Sequence, residues 1–174
     1  MSIQTARNQA ERLVESLGIT RAPVDVNAVA NRLGLQVIMI DLQEDISGLL
    51  VTRPEGSCIA IRKQDPEVRR RFSIGHETGH YYLRHQFEPG EHVHVDRGHR
   101  ISQRNRRSSS GTDAKEIEAN QFAACLLMPS KLLRESIKRL ATDQLYDSHI
   151  TELAKEFKVS EQAMTIRLST LGLL

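Results

Sequence analysis

The stretch Phe72–Tyr82, FSIGHETGHYY, holds two histidines four residues apart, with a glutamate directly after the first. Side chains four apart on a helix lie one above the other, so the imidazoles of His76 and His80 can grip one ion. Glu77 sits about 100° round the helix from His76, too far to be a third ligand. It can still reach a water on that ion, which is the placement a general base needs. The chemistry this trio supports is metal-assisted hydrolysis, and zinc is the ion that suits it. The competing reading is a pair of inward-facing histidines satisfied by backbone carbonyls.

A hydrolytic zinc site needs three protein ligands and an open position. The metzincin pattern, a glycine and then another histidine soon after His80, is excluded because Leu83 and Gln86 fill those places. His85 falls about 140° round from His80 on a continued helix, off the metal face. A carboxylate from a second helix remains, and DAKEIEANQFAACLLMP offers Glu116 and Glu118. These two lie about 200° apart on a helix, so only one can face the ion. Glu116 shares its row with Asn120, which could orient an imidazole, whereas Glu118 shares its row with Phe122. Glu116 is the better candidate. Its structural alternative is specific: with Asp113 as helix cap, Glu116 falls at the capping-box position.

The elements that must position these groups follow from periodicity. Ala6, Ala10, Leu13, Val14 and Leu17 recur at helical spacing before Gly18, and Asp25 can cap a second helix that ends at Gly34. LQVIMI, SGLLV and CIAIR are short apolar runs between turn residues and read as three strands of a small sheet. A helix then opens with Asp65 as cap and Pro66 at its first position, running to about His85. Val68 and Phe72 continue the row of His76 and His80, which makes that face the buried one. Gly75 and Gly79, on the adjoining row, weaken the helix by roughly 1 kcal/mol each, which suits close approach by another backbone or a ligand. EHVHV alternates like an edge strand, and the following RGHRISQRNRRSSSG reads as a basic loop. Asp113 caps a helix from Ala114 to Met128, SKLLRESIKRLA forms another, and the tail reads as two short helices joined at Val159 and Ser160.

A chain of 174 residues suffices for one core, and 26% charged with 39% hydrophobic residues is ordinary for a globular protein. No run is long enough for a membrane span, no signal peptide is evident, and Cys58 and Cys125 are too few for a disulfide framework. The cytoplasm is the expected compartment. A net charge of +2 does not argue for nucleic acid. The tail has a helix-turn-helix pattern, yet Arg167 is the one base on its last helix, poor material for a recognition helix. Arg97, Arg100, Arg104, Arg106 and Arg107 read as a solvated loop or an acidic partner's docking patch before they read as a phosphate track. Cys125 reads as core.

Three segments in this order, RRRFSIGHETGHYYL, GTDAKEIEANQFAACLLMP and LAKEFKVSEQAMTIRLSTLGLL, resemble the ImmA/IrrE family of bacterial and phage metallo-endopeptidases. The resemblance covers nearly the whole chain. It implies one Zn2+ held by His76, His80 and Glu116, Glu77 as base and Asn120 in support. Thr78 stands where a leucine is common in the family, outside the ligand set. The implied fold is a minimal thermolysin-like α+β one, with a zinc metallopeptidase domain over residues 1–140 and a helix-turn-helix-like region over residues 141–174 packed on it. The implied substrate is a helix-turn-helix transcriptional repressor, whose cleavage relieves repression of mobile-element or stress-response genes. Direct nucleic-acid binding and membrane association are not expected. A donor for the oxyanion should exist among His92, His94, His149, Tyr81 and Tyr82, which no sequence feature separates. An extended substrate segment is expected at the strand edge near HVHV. The alternative is a DNA- or protein-binding regulator whose metal site is structural or vestigial.

Overall fold

Ser2 caps the first helix by accepting from the Thr5 amide, and helix α1 (Ile3–Ser16) buries Ala6, Ala10, Leu13 and Val14 on one face. Asp25 caps α2 (Val26–Arg32) in the same way through the Ala28 amide. Gly18 and Gly34, at φ +63° and +83°, end these helices in the left-handed conformation that glycine adopts without a Cβ penalty. This computed structural model describes residues 2–85, 93–96, 110–140 and 144–174. His92 and the arginines Arg97, Arg100, Arg104, Arg106 and Arg107 lie outside the described residues.

The three apolar runs form β1 (Leu35–Ile40), β2 (Gly48–Val51) and β3 (Ser57–Arg62), and the alternating HVHV stretch supplies β4 (Val93–Asp96). The sheet has four strands in the order β1-β3-β2-β4, so β4 lies at an edge as its alternation suggests. β1 runs parallel to β3, while β2 is antiparallel to both β3 and β4. The β2–β4 register sets His94 opposite Leu50.

Helix α3 (Glu67–Tyr82) packs against β2 and β3 on one side and α4 (Ser110–Leu127) on another. Three expectations change here. Pro66 stands at the N-cap with no side-chain cap, because the Asp65 carboxylate pairs with Arg62 at 2.8 Å. The helix stops at Tyr82 instead of continuing to His85. Burial covers all residues from Ser73 to His80, whereas Val68 is exposed, so the buried face of α3 does not extend along the whole histidine row. The close approach foreseen at the two glycines is that of α4. A Cβ on Gly75 would touch Ala123, and one on Gly79 would press on Phe122 and the Ala119 carbonyl.

α4 begins at Ser110, three residues before Asp113, so Asp113 is inside the helix and does not cap it. Helices α5 (Ser130–Arg139), α6 (Asp147–Phe157) and α7 (Glu161–Thr170) complete the chain. Lys158 turns the last two helices in the left-handed conformation, and Arg71 of α3 donates to the carbonyls of Lys158 and Val24 at 3.3 and 2.9 Å. One hydrophobic cluster includes Leu13, Ile59, Ile74, Phe122, Cys125, Phe157, Met164 and Leu168, drawing on α1, β3, α3, α4, α6 and α7. No helix among the described residues is long and apolar enough to cross a membrane.

Candidate metal centre

The buried half of α3 presents His76 and His80 toward α4, and both rings are excluded from solvent. Their Nε2 atoms face each other at 3.0 Å. The Glu116 carboxylate completes the convergence, with Oε2 3.3 Å from His76 Nε2 and Oε1 3.3 Å from His80 Nε2. Two imidazole nitrogens and a carboxylate aimed at one small volume are the donor set of a three-ligand zinc site, so the residues present fit such an ion. Because α4 starts at Ser110, Glu116 lies well past the first turn and has no capping-box role.

Tautomer decides whether a ring nitrogen can ligate. Asn120 Oδ1 lies 3.0 Å from His76 Nδ1, so that nitrogen carries the proton and donates it. His76 Nε2 keeps its lone pair for the centre. Burial pushes the His80 pKa down to about 3, against the opposing pull of the Glu116 carboxylate beside it. That ring is therefore neutral at physiological pH. Burial pushes the Glu116 carboxyl upward, but the imidazoles of His76, His80 and His94 gathered round it outweigh this and hold it well below the usual carboxylate range.

Glu77 is fully buried. Gly48 of β2 makes room for it, since a Cβ there would lie 3.2 Å from Glu77 Oε1 and 3.3 Å from Ile61 Cδ1. His94 of β4 closes the arrangement. Its Nδ1 donates to Glu77 Oε2 at 3.0 Å and its Nε2 to Glu116 Oε1 at 3.1 Å. Burial lowers its pKa, but the two carboxylates outweigh this and raise it to about 10. His76, His80 and His94 each offer a nitrogen within 4.8 Å of the others, so this cluster could bind a metal.

Of the five oxyanion candidates, only His94 reaches the centre among the described residues. Tyr82 packs on Phe122 with ring centroids 5.5 Å apart, and Tyr81 is packed against the hydrophobic core. His149 accepts from the Tyr146 backbone amide at the start of α6. His92 is outside the described residues. Two further groups join the site that helix geometry had set aside. His85 Nδ1 lies 3.0 Å from His80 Nδ1, and His85 Nε2 lies 3.0 Å from Glu118 Oε2.

No curated protein matches this chain. Among solved structures, a Mycobacterium tuberculosis transcriptional regulator has a similar fold, with a TM-score of 0.63 at 20% identity over 97% of this chain. The chain spans 47% of the length of that structure, and at this identity the likeness speaks to fold alone. Residues 30–169 match the model of the peptidase family M78, described as the IrrE N-terminal-like domain. The match covers the paired histidines, both glutamates of the centre and the two last helices, and the chain belongs to that metallopeptidase-type family.

Proposed function

We propose that the protein is a zinc-dependent endopeptidase and that its substrate is a helix-turn-helix transcriptional repressor. The observation that carries the reading is the Glu116 carboxylate within 3.3 Å of both histidine Nε2 atoms, with the buried Glu77 beside them. Zinc held by His76, His80 and Glu116 would supply Lewis acidity to the scissile carbonyl and acidify a water to a pKa near 7. Glu77 takes the proton from the attacking water and returns it to the leaving amine nitrogen. Asn120 holds the His76 ring in its ligating tautomer. His94 lies between base and third ligand, where its ring N–H can turn to the carbonyl oxygen as that atom gains negative charge.

β4 supports the placement of an extended substrate, since it is an edge strand of the described sheet and carries His94 of the centre. A groove of about 430 Å3 next to the centre, lined by Val68, Phe72, Asn120, Ala124, Ile166 and neighbours, has room for an apolar side chain of that segment. The repressor as target rests on the resemblance of the sequence motifs. For α7 as a DNA reader the support is poor: Arg167 is buried, and the exposed residues of that helix include Glu161 and no base.

The test uses metal analysis and cleavage together. Wild type should hold close to one zinc per chain, and Glu116→Ala should lose most of it; full retention would remove Glu116 from the ligand set. Glu77→Gln should keep zinc and fold while abolishing cleavage of the cognate repressor. If Glu77→Gln relieves repression in cells as well as wild type does, the protein acts by binding, and the regulator reading replaces the peptidase.

A further inference from the structure

Helix α3 ends in a turn that its residue types do not favour. Arg84 takes φ +54°, the left-handed conformation that costs a side-chain-bearing residue roughly 1–2 kcal/mol. The reversed chain is closed by the His85 amide donating to the His80 carbonyl at 3.0 Å and the Arg84 amide donating to the Tyr81 carbonyl at 3.1 Å. A straight helix would carry His85 away from His80. The reversal instead lays its imidazole on the back of the His80 ring, with centroids 5.0 Å apart.

The His85 ring is fixed at both nitrogens. Nε2 lies 3.0 Å from Glu118 Oε2, and the two side chains are each only 5% exposed. Nδ1 lies 3.0 Å from His80 Nδ1. The protons in this chain can be counted. Glu118 as a carboxylate can only accept, so His85 Nε2 donates. The neutral His85 ring then accepts at Nδ1, so His80 Nδ1 must be the donor. His80 is left with its lone pair on Nε2, the atom that faces His76 and Glu116.

We propose that His85 and Glu118 form a positioning relay that locks His80 in its ligating tautomer and orientation and thereby sets the metal affinity of the centre. This rests on the metal-site reading above. The two ligand histidines are then held from behind by different devices: an amide for His76, and a histidine backed by a buried carboxylate for His80. It also gives separate work to the two glutamates that helix geometry places on different faces of α4: Glu116 meets the ligand nitrogens and Glu118 backs His80 through His85.

The experiment measures zinc dissociation constants by competition with a chromophoric chelator, with the visible spectrum of the cobalt-loaded protein and urea unfolding of the metal-free protein alongside. His85→Ala and Glu118→Ala should each weaken zinc binding on the order of 10–100-fold and shift the cobalt bands. His85→Gln should recover most of the affinity, because its amide oxygen can accept from His80 Nδ1–H while its NH2 donates to Glu118. Should the alanine variants fail to fold, Glu118→Gln carries the test, since it keeps shape and an accepting oxygen while removing the charge; it should weaken zinc binding several-fold. If the variants that fold bind zinc within about twofold of wild type, with only the unfolding midpoint lowered, the relay is overturned and the pair is structural. If wild type itself binds neither zinc nor cobalt, the metal-site reading falls and the relay with it. The two failures are therefore distinguishable.

Discussion

Gly79→Ala and Gly75→Ala make a matched pair, because both glycines face α4 from the same helix at different clearances. A Cβ on Gly79 would lie 3.1 Å from Phe122 Cδ1, 3.2 Å from Phe122 Cβ and 3.3 Å from the Ala119 carbonyl oxygen. Carbon atoms pack best at about 3.5–4.0 Å, so two neighbours are too close by several tenths of an ångström. Phe122 is fully buried and Ala119 O is backbone, so the relief must come from moving α4. Alanine in place of glycine favours a helix by about 1 kcal/mol, while overpacking a close-packed site costs about 1–3 kcal/mol. Gly79→Ala should therefore be neutral to about 2 kcal/mol less stable. At Gly75 the nearest atoms are Ala123 Cβ at 3.4 Å and Cα at 3.5 Å, an ordinary contact, so the propensity gain of up to about 1 kcal/mol should survive.

The same displacement has a functional reading. Ala119 sits between Glu116 and Asn120 on α4, so moving α4 at Gly79 shifts the third ligand and the partner of His76 together. Sites of this kind tolerate about 0.5 Å of error, and a shift of several tenths should weaken zinc binding on the order of tenfold. Urea unfolding of the metal-free proteins gives the stability difference between the variants, and chelator competition gives the affinities. Gly79→Ala at least as stable as Gly75→Ala, with wild-type zinc affinity, would refute the claim that this glycine sets the spacing of α3 and α4.

The remaining predictions concern pH and the tail. In the metal-free protein, the folded-state pKa of His80 is depressed to about 3 from an ordinary 6.5, so its contribution is fully present above pH 6.5 and is lost as pH falls toward 3. The loss should reach about 2 kcal/mol by pH 5. His94 has the opposite sign: its pKa is raised to about 10, so its contribution is full below pH 6.5 and is lost as pH rises through 10. Urea unfolding at pH 5, 7 and 9 should therefore show a maximum near neutrality, and a flat profile would contradict both assignments. Arg167 should act as a structural residue, since it donates to Glu11 at 2.7 Å and to the Met128 carbonyl at 3.0 Å from a buried position. Arg167→Ala should cost about 2–3 kcal/mol without altering zinc affinity, the Glu11 end being partly exposed. Unchanged stability would return Arg167 to the surface and reopen the question of contacts with DNA.

What the sequence makes legible is whatever a repeating period dictates. The convergence of His76 with His80 is a property of any helix; the angle between Glu116 and Glu118 says that only one of them can face the same point, and Asn120 one turn beyond Glu116 favours that one. The strands at Leu35–Ile40, Gly48–Val51 and Ser57–Arg62 announce themselves as apolar runs between turn residues. The misses lie where a period stops. His85 does stay off the ligand face, but its contact with His80 is invisible when the helix is carried on to it, since nothing in the type of Arg84 announces a left-handed residue. His94 could not be separated from four other candidates, because its distance to Glu77 depends on the register of β4 against β2. Asp113 looks like a cap from its type alone, and the helix begins before it.

These misses bear unequally on the chemistry. The earlier start of α4 removes the one structural role that competed for Glu116. The turn after α3 and the pairing of β4 do something different: they add groups around the candidate ligands. A helix can line up its ligands by period alone. The second nitrogen of each imidazole must be met by a partner from outside the row, and here those partners come from α4 for His76 and from the reversed chain for His80. The parts of the site that the sequence leaves unreadable are thus the parts that fix tautomer and orientation, and the zinc affinities of the His85 and Glu118 variants measure how much the centre depends on them.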